Sequence, residues 1–274
     1  MTLYLWLLPV GVLIGAFGTL IGAGGGFVLT PMLLLVYPHE SPEIITSISL
    51  AVVFLNAFSG SVAYARMQRI DYQSGGLFAL ATIPGAVVGA LTTTYMPRRA
   101  FDLVFGLFMI LAALFLLLRR RETPLAPEAQ QQKPHDVTRQ VREADGTLHT
   151  FSYNRHVGIG LSVAVGYFSS LLGIGGGIIH VPAMAHVLHF PVHIATATSH
   201  FTLAVMALTG TLVHIVTGSF HHGVRRTIAL GLGVLIGAQL GARFSHHVHG
   251  QWILRSLAVA LGLVGVRILV LAFV

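Results

Sequence analysis

Gly22 to Pro31 reads GAGGGFVLTP, and Gly173 to Pro182 reads GIGGGIIHVP, 151 residues further on. Each copy follows an apolar run, Leu3 to Ile21 in one case and Val157 to Leu172 in the other. Each precedes a shorter one, Phe27 to Tyr37 or Ile178 to Phe190. Glycine costs a helix interior roughly 1 kcal/mol against alanine, so three in succession end a helix rather than continue it. The reading is two helical pieces joined by bare backbone, with Phe27 and Ile178 near the start of the second piece. The first N–H groups of such a piece have no carbonyl of their own helix to meet and would face whatever lies nearby.

Outward from these stretches the chain stays apolar. It is 54% hydrophobic and 9% charged over 274 residues, with mean hydropathy +0.79, which excludes a soluble globular domain. Eight hydrophobic units are each long enough to cross roughly 30 Å of hydrocarbon or to enter and return. Two are the broken units above; the others run about Ile44 to Ala65, Gly75 to Met96, Phe101 to Leu118, Ile194 to Thr217, Thr227 to Ser245 and Trp252 to Phe273. The start, MTLYLWLLPV, lacks a basic stretch and runs on into the glycine motif, so it reads as structure rather than a cleaved signal. The absence of cysteine excludes disulfides and thiolate metal sites and leaves the compartment open.

The similarity between the halves extends past the glycines. Ser49 matches Ser199, Ser59 with Gly60 matches Thr209 with Gly210, and PGAVVGA at Pro84 to Ala90 matches IGAQLGA at Ile236 to Ala242. The expected fold class is an all-α polytopic membrane protein of two homologous four-segment halves, each opening with a glycine-broken helix. Residues 1–118 form the first membrane repeat, 119–156 a linker and 157–274 the second. Gly11 with Gly15, Gly18 with Gly22, Gly85 with Gly89 and Gly237 with Gly241 are small-residue pairs that let helices approach closely in lipid.

The linker is the one polar region. It opens with RRRETPLAPEAQQQKP, and its second part, VTRQVREADGTLHTFSYN, alternates around an Asp145–Gly146 pair as a short β-hairpin would, with a disordered loop as the alternative. Arg119, Arg120 and Arg121 directly follow a membrane segment and place the linker in the cytoplasm. If each glycine element enters and returns, three crossings remain per half and the halves are inverted; if each spans once, they are parallel. The inverted form, common where membrane helices are discontinuous, is the expectation.

Charge narrows the chemistry. The nine acidic residues are Glu40, Glu43, Asp71, Asp102, Glu122, Glu128, Asp136, Glu143 and Asp145; all lie in or beside loops and none follows Asp145. Carriers of cations usually place a carboxylate at the membrane centre. Here the net charge is +7, and the interior offers helix N-termini, amides, hydroxyls and imidazoles, a set that suits an anion. Asn56 is a buried amide in need of partners. Of 15 histidines, His180, His200 and His214 fall within membrane units, either as neutral structural groups or as titrating donors that hold an anion and couple its movement to protons. His221, His222, His246, His247 and His249 sit at segment ends.

These residues resemble the TauE/SafE sulfite exporter family. The resemblance rests on the duplicated GxGGG stretch followed by an apolar run and proline, on Ile48–Ser49 and Thr198–Ser199, and on the glycine pairs near Gly85 and Gly237. It covers nearly the whole chain except the linker. The resemblance implies export or uptake of small sulfur-containing anions such as sulfite, thiosulfate or organosulfonates like sulfoacetate. Two other classes compete. A transition-metal transporter would use His180, His186, His189, His193, His200 and His214, and the missing carboxylates of the second half count against it. A membrane hydrolase would use the AFSG stretch at Ala57 to Gly60, but threonine replaces the nucleophile in the repeat.

The expectation is a secondary transporter in the cell membrane, not an enzyme. Substrate would be held by Gly24, Gly25, Gly26, Phe27, Gly175, Gly176, Gly177 and Ile178 with Ser49, Asn56, Ser199 and His200. His200, His214 and His180 are the groups for proton coupling. No cofactor, resident metal or nucleic acid is expected; the partners are a small anion and the bilayer, and a homo-oligomer is left open.

Overall fold

A computed structural model describes residues 6–118, 136–245 and 250–273. The basic start of the linker, Arg119 to Arg121, and the histidines at 246, 247 and 249 lie outside the described residues. The first apolar unit is two helices. Helix α1 (Leu7–Ile21) ends at Gly22, whose φ of 81° is left-handed, and α2 (Gly26–Val36) restarts after Gly25 at φ 79°. The second motif repeats the break: α6 (Arg155–Leu172) ends at Gly173, φ 66°, and α7 (Gly177–His186) follows. Only glycine takes such angles without strain.

Six further helices follow α2 and α7: α3 (Pro42–Arg66), α4 (Tyr72–Tyr95) and α5 (Arg98–Leu118) in the first half, and α8 (Val192–Val216), α9 (Val224–Phe244) and α10 (Gly250–Phe273) completing the second. Thus three whole helices accompany each broken pair. Among the described residues α3, α4, α8 and α9 are long and apolar enough to cross a membrane. Local chemistry sets their starts: Ser41 Oγ accepts from Ile44 N–H at α3, and Asp71 accepts from Gln73 and Ser74 N–H at α4.

The halves interlock. Helix α1 packs along α9, α6 along α4, α3 along α8 and α5 along α10. The small-residue pairs make the closest of these contacts. A Cβ at Gly85 would lie 2.1 Å from the Val163 carbonyl oxygen, one at Gly237 2.1 Å from that of Val12, and one at Gly11 2.4 Å from that of Leu230. Contacts advance together along α1 and α9 (Gly11 at Leu230, Gly15 at Val234) and along α4 and α6 (Gly85 at Val163, Gly89 at Tyr167), so these pairs run in the same direction.

Within the linker, β1 (Asp136–Arg142) and β2 (Leu148–Asn154) pair antiparallel, Arg142 opposite Leu148, around Gly146 at φ 92°. The hairpin ties two loops together. Arg139 grips Asp71 through two hydrogen bonds of 2.9 and 3.2 Å, Arg69 meets Glu143 at 2.6 Å, and Tyr153 O–H donates to Ser74 Oγ at 2.8 Å, all at the α3–α4 turn. On its other side Phe151 and Tyr153 pack on Phe190 of the α7–α8 loop, ring centroids 4.3 and 5.1 Å apart. At the opposite end of the bundle the α2–α3 loop meets the start of α9: Glu40 pairs with Arg226 at 2.5 Å, and Arg226 stacks over Tyr37.

Burial opposes ionisation of Asp71, but hydrogen bonds from Arg139 and Ser74 outweigh it and hold the carboxyl below its ordinary range. A depressed carboxylate contributes stability above its unfolded pKa of about 3.9 and loses it as pH falls through the lower folded value. Limited proteolysis in detergent should therefore leave the hairpin intact from neutral pH down to about pH 4 and cut it increasingly below. Arg139→Met should produce the cut form already at neutral pH, since two charge-assisted bonds together stabilise by on the order of 2 kcal/mol. Equal protection of both proteins at pH 7 would show that the aromatic side alone holds the hairpin.

Candidate functional site

The two glycine motifs meet at the centre, backbone against backbone. A Cβ at Gly26 would stand 2.6 Å from the carbonyl of Ile174, and one at Gly177 would stand 2.2 Å from the Gly22 oxygen and 2.5 Å from Ala23 Cα. Residues 22–27 and 173–178 are all buried. Within the loop, the Ala23 and Gly24 N–H groups return to the Gly18 carbonyl at 2.8 and 3.1 Å, completing the end of α1. The Gly24 N–H, expected to face substrate, is thereby engaged. The N–H groups of Gly25, Gly26 and Phe27 and of Gly176, Gly177 and Ile178 find no acceptor among the described residues. They open α2 and α7, where the helix dipole favours negative charge.

Beside the first motif α1, α3 and α8 assemble a buried polar cluster. Thr19 Oγ1 donates to Asn56 Oδ1 at 2.8 Å, which fixes the amide with its NH2 group turned elsewhere. That Nδ2 has no partner, and a Cβ at Gly25 would lie 3.5 Å from it. Tyr64 O–H donates to the Thr19 carbonyl at 2.8 Å and turns the edge of its ring toward His200. His200 is fully buried; neither ring nitrogen makes a hydrogen bond of good geometry among the described residues, although the ring lies near enough to the Gly22 carbonyl to interact with it. Gly60 makes room for it: a Cβ there would lie 2.6 Å from His200 Cδ2. Each buried polar group left unpaired costs about 1–3 kcal/mol, so donors collected in one place call for an acceptor.

The other expected residues fall elsewhere. Ser49 Oγ donates to the Gly173 carbonyl at 2.6 Å, beside a 2.7 Å bond from Thr30, so its proton caps the end of α6 rather than facing an open site. Ser199 Oγ is buried without a partner. His180 lies 3.4 Å from Ser162 Oγ and edge-on to Phe78; His214 Nε2 lies 3.4 Å from Thr46 Oγ1. The three imidazoles thus have three separate surroundings. Among the described residues no three His, Asp or Glu side chains gather as a metal would require.

Thr19, Tyr64 and Ser169 were not singled out by sequence reasoning. Ser169 Oγ is fully buried and unpartnered, and a Cβ at Gly176 would lie 3.3 Å from it. The signal was present at the motif's own spacing, where Ser169 and Ser170 stand opposite Gly18 and Thr19. The contacts repeat likewise: Gly60 abuts His200 and Thr19, while Gly210 abuts Leu50 and Ser170. The second half therefore has leucine where the first cluster receives an imidazole.

The family described as sulfite exporter TauE/SafE matches residues 7–268. A "Probable membrane transporter protein YunE" of Bacillus subtilis is 32% identical over 96% of both chains. A "Probable membrane transporter protein" of Xylella fastidiosa is 29% identical over 87% of this chain and 85% of its own. One of Methanocaldococcus jannaschii is 22% identical over 97% of both. No solved structure matches. With two broken helices meeting among membrane-length apolar helices, and with that match spanning nearly its whole length, the chain belongs to the TauE/SafE sulfite exporter family and is a multi-pass membrane transporter.

Proposed function

We propose that this chain is a secondary transporter of small sulfur-containing anions, of the class of sulfite, thiosulfate or an organosulfonate, across the cytoplasmic membrane. The observation that carries this reading is the set of unpaired buried donors at the start of α2, the Gly25, Gly26 and Phe27 N–H groups and Asn56 Nδ2, with the His200 imidazole beside them and no carboxylate among them. Such donors fit an oxyanion and repel a cation. Gly176, Gly177 and Ile178 offer the equivalent at α7, with Ser199 nearby in sequence to His200. Gly24, Gly175 and Ser49 shape the two turns.

In a thermal-unfolding assay of the purified protein, thiosulfate or sulfite at about 100 times its Kd should add roughly 2.7 kcal/mol of stability, and zinc or nickel should add none. Stabilisation by the metals and by no sulfur anion would overturn the reading. Proton coupling falls to His200, the only ionisable group in the cluster besides Tyr64. In proteoliposomes, His200→Gln should keep anion binding but lose the response of the initial rate to a pH gradient. An unchanged response would assign coupling elsewhere, to His214 or His180 first.

Two halves of inverted orientation, with the linker in the cytoplasm, complete the proposal. Support comes from the hairpin, which meets the α3–α4 and α7–α8 loops, while Glu40 and Arg226 join the α2–α3 loop to α9 at the other end, where Arg99 also lies over Phe273. One half rocking against the other about the glycine motifs gives alternating access. In this cysteine-free chain, Phe273→Cys should react with an impermeant thiol reagent in intact cells; labelling only after lysis would reject inversion.

A further inference from the structure

At the end of the bundle away from the hairpin, α2, α5 and α10 close around a cavity of about 470 Å³. Its lining falls into two sets. Arg98, Arg99 and Asp102 supply charge from the start of α5, while Leu35, Ile268 and Ala272 form an apolar wall from α2 and α10. Helices α5 and α10 run antiparallel here, since Arg99 lies over the Phe273 ring and Gly106 abuts Leu269 and the Gly265 carbonyl. Ile268 is thus about 7.5 Å deeper along α10 than Phe273, five residues at roughly 1.5 Å each. The charged set marks the rim and the apolar set the depth.

The three charges are not equivalent. Arg98 is spent: its Nε donates to both Asp102 oxygens at 2.9 and 2.8 Å, and its Nη atoms donate to the Glu40 and Leu34 carbonyls at 2.7 and 3.3 Å. Asp102 is neutralised by that contact, and the end of α2 is fixed to the start of α5. Arg99 is exposed, its guanidinium carbon 5.8 Å from the Phe273 centroid, and among the described residues no carboxylate pairs with it. Guanidinium groups bind phosphate through paired N–H donors, and basic pockets between membrane helices take phosphate head groups. We propose that this cavity binds one anionic phospholipid, its phosphate on Arg99 and the start of an acyl chain along Leu35, Ile268 and Ala272. An inorganic anion would use the guanidinium alone and leave the apolar wall wet, whereas a zwitterionic lipid brings a cation of its own toward the arginines. The site lies at the far end of α2 from the Gly25–Phe27 donors and does not depend on which solute the protein carries.

The test is native mass spectrometry of the full-length protein released from bilayers of mixed phosphatidylglycerol and phosphatidylcholine, with thermal unfolding in each lipid beside it. Wild type should retain one phosphatidylglycerol, prefer it to phosphatidylcholine by about tenfold, within the range for one extra charge contact at a protein surface, and unfold at a higher temperature in its presence. Arg99→Gln should erase the preference. Arg243→Gln, at an exposed arginine in the last turn of α9, should keep it. Ala272→Phe from α10, or independently Leu35→Trp from α2, should lower retention of both lipids by filling the cavity. Glycerol phosphate, which has the head group's phosphate and no chain, should not displace the lipid. Equal retention of the two lipids by wild type, or equal loss of preference in Arg99→Gln and Arg243→Gln, overturns the inference in favour of a general attraction between interfacial arginines and lipid. Undiminished retention in both filled variants overturns the assignment to this cavity, and displacement by glycerol phosphate overturns the lipid in favour of a soluble phosphate ester.

Discussion

Gly177→Ala is expected to destabilise the folded protein by on the order of 3 kcal/mol and to reduce transport below about one-tenth of wild type. The added methyl would fall 2.2 Å from the Gly22 carbonyl oxygen and 2.5 Å from Ala23 Cα, and neither is a side chain that can turn away. The two motifs must separate to admit it. Gly26→Ala, facing the Ile174 carbonyl at 2.6 Å, should behave similarly. Gly176→Ala should be milder, because its φ of −47° is helical and its closest obstacle is the side chain of Val165. Gly160→Ala is the control: it lies in α6 with nothing within 4 Å, and should change stability by less than about 1 kcal/mol. Thermal unfolding of the four purified variants decides the order. If Gly177→Ala matches Gly160→Ala, the motifs do not touch as described.

Asn56→Asp should be the most damaging change to transport that leaves the fold in place. The substituted side chain has the same shape and can still accept from Thr19 Oγ1, so the 2.8 Å bond that orients it survives. What changes is the group beside Gly25, from an amide donor to a carboxylate. Two like charges about 4 Å apart repel by roughly 4 kcal/mol at an effective dielectric constant of about 20, which corresponds to about a thousandfold loss of affinity for an anion. Asn56→Ala removes the Nδ2 donor together with the acceptor of Thr19 Oγ1, introduces no charge, and should cost roughly tenfold or somewhat more. Initial rates at low substrate should therefore fall in the order wild type, Asn56→Ala, Asn56→Asp. Lowering the pH should recover the aspartate variant alone, as its carboxyl takes up a proton. Equal rates for the two variants would remove Asn56 from the anion's surroundings and leave it as a partner of Thr19.

The sequence by itself determined the membrane class, because composition over 274 residues is a bulk property that no packing can reverse, and it determined the helix breaks, because triple glycine acts locally. It also showed that the carboxylates stay in or beside loops, and it showed the similarity between halves. Tertiary structure decided which donors remain unpaired. Ser49 and Asn56 look alike as polar residues seven positions apart on α3, yet Ser49 is spent on the Gly173 carbonyl, 124 residues away, while Asn56 Nδ2 is left without a partner beside Gly25. Thr19 and Tyr64 join the cluster only because α1, α3 and α8 converge, and Ser169 matters only because α6 carries it to Gly176. Helix periodicity places a side chain on a face. Whether a buried polar atom already has an acceptor depends on which distant carbonyl the packing brings within about 3 Å, and no local pattern encodes that.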